Sequence, residues 1–273
     1  MRIDGKAWTL ALVALLALLA ACNAGDDPAV PGGGSTIDPP PVPTGALMAD
    51  HACADAFATV PMEAIAAAGD LRIYYGHTSH GSQLVTGLAM IEAGDNAYAR
   101  PAIREVGADL GTLGDLAWAT TTRAWLAEHA DETDVVLWSW CGGVSTNTPA
   151  GIDAYLQAMT RLEADYPAIT FIYMTGHLDG TGPGGTLHAN NERIRAYCAA
   201  HHKWLFDFAD IESYAPDGSG YPDGTDACGW CEEWCASHDC PDCSSCAHSH
   251  CFNCWRKGMA FWWLLARIGG WEG

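Results

Sequence analysis

Leu71-Arg-Ile-Tyr-Tyr-Gly-His-Thr-Ser-His-Gly81 is the stretch on which the reading of this chain turns. A short run of β-formers over 71–75 stops at Gly76, and a polar turn carrying His77, Ser79 and His80 follows. Residues 83–91 then place Leu84, Leu88 and Ile91 on one helical face. A strand, a tight turn and a helix in succession present the turn's side chains at the carboxyl end of a strand, where open α/β sheets hold their ligands. A serine there is placed to act as an exposed nucleophile, or simply to cap the helix. Gly76 and Gly81 suit a turn that needs either unusual backbone angles or close approach.

Working outward, short helical pieces are expected over 46–57 and 61–68. Further strands are expected over 102–106, 134–140, 168–174 and 204–208. Between them lie helices over 116–129, 149–165 and 187–201. The second of these carries Ile152, Tyr155, Leu156, Met159 and Leu162 at helical spacing. An apolar helix over 259–268 ends the fold. Strands alternating with helices imply a parallel sheet covered on both faces. The expected fold class is α/β, a flavodoxin-like three-layer α/β/α arrangement around five parallel strands. In that order the turns after the first and third strands are neighbours. Ser79 then faces the loop from Cys141 to Asn147, with the glycine-punctuated loop at Gly111 and Gly114 beside it.

The chain has 273 residues, 49% of them hydrophobic, which suffices for one sizeable core. Its formal charge of −20 repels nucleic acid and anionic lipid surfaces, so neither is an expected ligand. At the amino end, Arg2 and Lys6 precede an apolar run over 7–21 that is short for a membrane span. Its ending, Leu19-Ala20-Ala21-Cys22, resembles the bacterial lipoprotein signal, which implies lipidation of Cys22. The alternative is an ordinary signal peptide cut near Ala21. Asn23 in place of an aspartate leans, by that resemblance, towards the outer membrane. Residues 22–45, rich in Pro and Gly with no apolar period, read as a tether. The expected organisation is a leader over 1–21, a lipidated tether over 22–45 and a folded domain over 46–273. The expected location is the cell envelope, held at the membrane by the lipid anchor alone.

The turn Gly76-His-Thr-Ser79-His-Gly81 and the element order resemble a divergent branch of the SGNH (GDSL-type) hydrolase superfamily, which carries Gly-His-x-Ser-x-Gly. The resemblance implies an esterase or other acyl hydrolase with Ser79 as nucleophile. It implies Gly111 or Gly114 as a backbone oxyanion donor, and an asparagine after the third strand, for which Asn147 is the first candidate and Asn191 the fallback. The family's Gly-x-Asn-Asp and Asp-x-x-His-Pro motifs are absent. The catalytic histidine of the family precedes the last helix, which implies His248, with His250 as runner-up, since Asn253 and Gly258 follow at the family's separation. Asp242, Asp207 and Asp210 are the candidate acids. The implied substrate is an ester, an acylated glycan by family association, and no cofactor is implied.

Eight cysteines crowd the insertion over about 226–254: Cys228, Cys231, Cys235, Cys240, Cys243, Cys246, Cys251 and Cys254. Cys-x-x-Cys spacing with histidines nearby is that of a zinc cluster. An exported chain meets an oxidising compartment, however, and eight thiols can close four bridges. Disulfides are the expected reading, with connectivity left open among about 105 pairings. Two other functions remain open at this point. One is a non-catalytic module holding a glycan or protein, with Trp230, Trp234 and Trp255 as stacking candidates. The other is a metal-dependent hydrolase using His77, His80 and His177.

Overall fold

A computed structural model describes residues 47–111 and 114–273. The expected leader, the lipidation residue Cys22 and the tether lie outside the described residues, as do Thr112 and Leu113 of the glycine loop. The described chain is α/β. Six parallel strands form one sheet: β1 (Met48–Ala49), β2 (Arg72–Gly76), β3 (Ala102–Val106), β4 (Val135–Trp138), β5 (Thr170–Met174) and β6 (Trp204–Phe206), in the order β1-β6-β5-β4-β2-β3. The sheet therefore has six strands rather than the five expected. The extra one, β1, falls in a stretch read as helix from composition. Two residues are too few to show a period, and β1 exists only because β6 offers it an edge.

The order follows from burial. All four residues of β4 are buried, and so are the last four of β2, whereas β3 is largely open. Strands covered on both faces read as continuous apolar runs, and such runs take the middle of a parallel sheet. The helices fall into two groups. In the first, α1 (His51–Asp55), α2 (Met62–Gly69) and α3 (Ser82–Gly94) pack against the terminal α10 (Cys251–Ile268). In the second, α6 (Pro149–Asp165) packs on α4 (Ala117–His129) and α7 (Thr186–Ala200). Thr148 caps α6 through its hydroxyl and Pro149 opens it, a start signal legible in sequence. Trp138 and Trp262 lie fully within the core. No helix among the described residues is long and apolar enough to cross a membrane.

One contact joins the amino-terminal turn to the carboxyl-terminal tail. α3 and α10 cross at Gly87 and Gly258, where a Cβ built on Gly87 would stand 1.9 Å from the Cys254 carbonyl oxygen. A Cβ on Gly258 would stand 2.5 Å from the Gly87 carbonyl carbon. Only two glycines permit backbones this close. The short α5 (Gly143–Thr146) follows β4, α8 (Phe208–Ser213) follows β6, and α9 (Gly229–Cys235) opens the cysteine-rich segment. Four disulfides close that segment: Cys228–Cys231, Cys235–Cys240, Cys243–Cys251 and Cys246–Cys254. Every bridge is local, so the segment is stapled to itself and to the start of α10.

Candidate active site

The turn after β2 is built by close packing. A Cβ on Gly76 would meet the Trp138 ring at 2.0 Å, and one on Gly81 would meet Ser139 Oγ at 2.2 Å and Tyr75 Oη at 2.6 Å. Gly81 has an ordinary helical φ of −64°, so close approach, not backbone freedom, requires glycine there. The Ser79 hydroxyl does not cap α3, whose N-cap residue is Gly81. Instead it lies 3.4 Å from Cys141 Sγ, across the carboxyl edge of the sheet. The turns after β2 and β4 are thus neighbours, as adjacent pairing of those strands requires.

His80 sits beside both groups. Its Nδ1 is 3.2 Å from Cys141 Sγ, and its Nε2 is 2.8 Å from Asp226 Oδ2. One tautomer satisfies both contacts: Nε2–H donates to the carboxylate, and Nδ1 accepts from the thiol. Burial holds the His80 imidazole below its ordinary pKa, with His177 and His248 pushing the same way, while Asp226 opposes the shift. At neutral pH His80 is therefore a neutral base with its lone pair on Nδ1. The ring lies between two others, stacked on His177 at 3.7 Å and on His248 at 4.5 Å between centroids.

His248 reaches this stack from the stapled tail with φ +61°, a left-handed conformation that non-glycine residues rarely hold without support. The support is visible. Cys246 and Cys251 on either side are both disulfide-bonded, and the Ala247 carbonyl accepts a 2.5 Å hydrogen bond from Gln83 Nε2 of α3. Beneath it, Lys257 Nζ is fully buried and donates to Gln83 Oε1 and, at 2.6 Å, to Glu212 Oε1. Desolvation pushes the Lys257 amine below its ordinary pKa, and Glu212 opposes that shift.

Of the residues read from sequence, the cleft brings together Ser79, His248, His80 and His177. His77 is turned aside: its Nε2 pairs with Glu105 at 2.8 Å and its Nδ1 lies 3.1 Å from the Thr78 carbonyl. His250 is the N-cap of α10, its Nδ1 accepting from Phe252 N at 3.1 Å. Asp242 is engaged with the amide of Cys243 at 2.8 Å. Asn147 is buried, its side-chain oxygen accepting from Thr148 N, and Gly114 (φ +80°) packs near Gly151 at the start of α6. Asn191 clamps the turn after β5, bonding both N–H and C=O of Gly176. Asp207 is held by Arg195 and Thr175, and Asp210 by His51.

Asp226 and Cys141 were not chosen from sequence as site residues. Asp226 lies in a polar turn just before the cysteines, and the composition of that turn resembles many loops. Of the three unbridged cysteines among the described residues, Cys53 and Cys198 are buried, and burial pushes their thiols up, to about 12 for Cys53. Cys141 is the more accessible one, at the carboxyl end of β4.

A solved chain described as a GDSL-like lipase from Parabacteroides merdae is similar to this one at 11% identity. The match covers 72% of this chain and 95% of that chain, with a TM-score of 0.42. A likeness at that level transfers no residue role. No protein-family model matches the chain, and no curated protein matches it in sequence.

Proposed function

We propose that this protein hydrolyses an ester at the cleft between the turns after β2 and β4, with Ser79 as nucleophile and the His80–Asp226 pair as its base. The observation that carries the reading is the chain of contacts from Ser79 Oγ through Cys141 Sγ to His80 Nδ1, at 3.4 and 3.2 Å, with Asp226 on the far nitrogen. A nucleophile, a base and a group that orients the base are the three parts that acyl transfer requires. As Ser79 attacks, its proton passes to the thiol while the thiol proton passes to His80. Asp226 stabilises the imidazolium that forms, which returns the proton to the departing alcohol. Water then releases the acyl group from Ser79 as a carboxylic acid by the same proton route. Backbone amides of the turns after β2 and β4 serve as oxyanion donors in this reading, and one such donor typically contributes about 3 kcal/mol to the transition state. An acyl group on an extracellular glycan, and attachment to the cell envelope through Cys22, belong to the same proposal.

The position of the sulfur favours a second reading of the same chemistry. Cys141 is in direct contact with the base and Ser79 is not, so the acyl group could rest on the thiol with the Ser79 hydroxyl donating to the oxyanion. Turnover of p-nitrophenyl acetate, with fluorophosphonate and iodoacetamide labelling, separates the two. Serine chemistry predicts a fluorophosphonate adduct on Ser79 and a loss of about 10³-fold or more in kcat for Ser79→Ala. Cysteine chemistry predicts an adduct on Cys141, with Ser79→Ala costing only one oxyanion donor. A wild-type protein inert to a panel of esters and to both probes would remove hydrolysis altogether.

A further inference from the structure

We propose that His80, Asp226 and His248 together form a binding site for a divalent transition metal ion. Three separate segments deliver these groups: the turn after β2, the turn before α9 and the stapled tail. Each offers one ligand atom, and all three atoms lie within 4.8 Å of one another. A zinc ion with metal–nitrogen bonds of about 2.0–2.1 Å sets tetrahedral donors about 3.3 Å apart, so small side-chain rotations bring the three into range. Two imidazoles and one carboxylate form the facial set that leaves positions open for water or substrate.

The arrangement is built rather than incidental. His248 holds a left-handed backbone inside two disulfide-closed loops, so its main chain is held in place before any ion arrives. Cys141 Sγ lies against His80 Nδ1, where a metal-bound imidazole places its second N–H. His177, stacked on His80, has its Nε2 buried with no partner among the described residues.

The ion and the proposed base catalysis compete for one ring. A metal on Nε2 of a neutral His80 forces its proton onto Nδ1, and Nδ1 then has no lone pair to accept a proton. The metal-loaded protein therefore cannot use His80 as a base, and hydrolysis by Ser79 belongs to the metal-free form. The site itself stands without that activity.

Zinc titration of the chelator-treated, fully oxidised chain tests the site, by calorimetry and by metal analysis after dialysis. The expected result is one zinc bound per chain. Asp226→Asn and His248→Ala should each weaken binding by more than the roughly 10- to 100-fold that outer-shell changes cause. His51→Ala, which disrupts the other group of possible ligands at Asp50, His51 and Asp210, should leave it intact. Far-UV circular dichroism checks that each variant is folded, and cobalt substitution should give a spectrum without a thiolate charge-transfer band. No stoichiometric zinc, unchanged affinity in folded Asp226→Asn and His248→Ala, or a thiolate band would each overturn the assignment. Esterase activity without zinc binding removes this inference alone. Zinc binding in a protein inert to esters removes only the proposed function.

Discussion

Lys257 shows what a single residue contributes here. It is a lysine in the middle of an apolar helix, wholly out of water, with its ammonium 3.8 Å from the centre of the Phe208 ring and paired with Glu212. Desolvating two charges costs several kcal/mol each, and their attraction roughly offsets it. The pair therefore adds little net stability, yet losing one member is expensive. Lys257→Ala should lower unfolding free energy by about 3–5 kcal/mol, measured by chemical denaturation, because Glu212 is left charged and buried. A loss below about 1 kcal/mol would refute a dry, tightly coupled Lys257–Glu212 pair. The pair also has a positional consequence. It holds Gln83, which holds the Ala247 carbonyl, which sets the residue carrying the third imidazole.

At the scale of elements, the crossing of α3 on α10 decides whether the two ends of the site meet. Gly→Ala inside a helix ordinarily gains about 1 kcal/mol. At Gly87 the added carbon would stand 1.9 Å from a backbone oxygen that cannot rotate away, and overpacking costs about 1–3 kcal/mol or more. The clash wins. Gly87→Ala should lower the thermal midpoint and, by pushing α10 outward, weaken the coupling of His248 to the turn. Raised mobility of the His248 ring in NMR spectra would report that, and a stabilised Gly87→Ala would refute the close crossing.

The start of β2 carries a second device. Asp134 accepts from the Arg72 backbone N–H at 2.8 Å and from its guanidinium at 2.8 and 2.9 Å. The Arg72 side chain is the main reason that the Asp134 carboxyl lies below its usual range, with burial opposing. A depressed carboxylate stabilises the fold above the ordinary carboxyl pKa, and that contribution is lost as pH falls through the folded value. The difference in melting temperature between wild type and Asp134→Asn should thus be full near neutrality and shrink below about pH 4. Both side chains are partly exposed, so the difference is modest.

Across the whole molecule, the sheet supplies rigidity to one side of the cleft and covalent bonds supply it to the other. The cysteine-rich segment has only a small apolar cluster of its own, around Trp230, Cys231 and Phe252. Cross-linking a loop of about eight residues removes about 2–3 kcal/mol of unfolded-state entropy in the chain-entropy model. Reduction with a phosphine should therefore loosen this segment while the sheet survives. Hydrogen exchange should rise over residues 226–254 and remain slow in β4 and β5. Uniform unfolding on reduction would show instead that the segment is integral to the core.

The strands, the long helices and the serine-bearing turn were legible in the sequence because their signals are local. They lie in apolar runs, in helical spacing such as that of Ile152 to Leu162, and in glycines bracketing the turn. Excess cysteine over 228–254 likewise announced staples, though not their pairing. Which side chains meet was not local information. Asp226 reaches His80 across 146 positions of chain, and Cys141 reaches it across 61. His250 and His248, two residues apart, separate into a helix cap and a member of the imidazole stack through one backbone φ. Periodicity reports which face of an element is buried. Only the packed chain sets what that face touches, because contact geometry depends on the Gly87–Gly258 crossing and the order of strands, which no single stretch encodes.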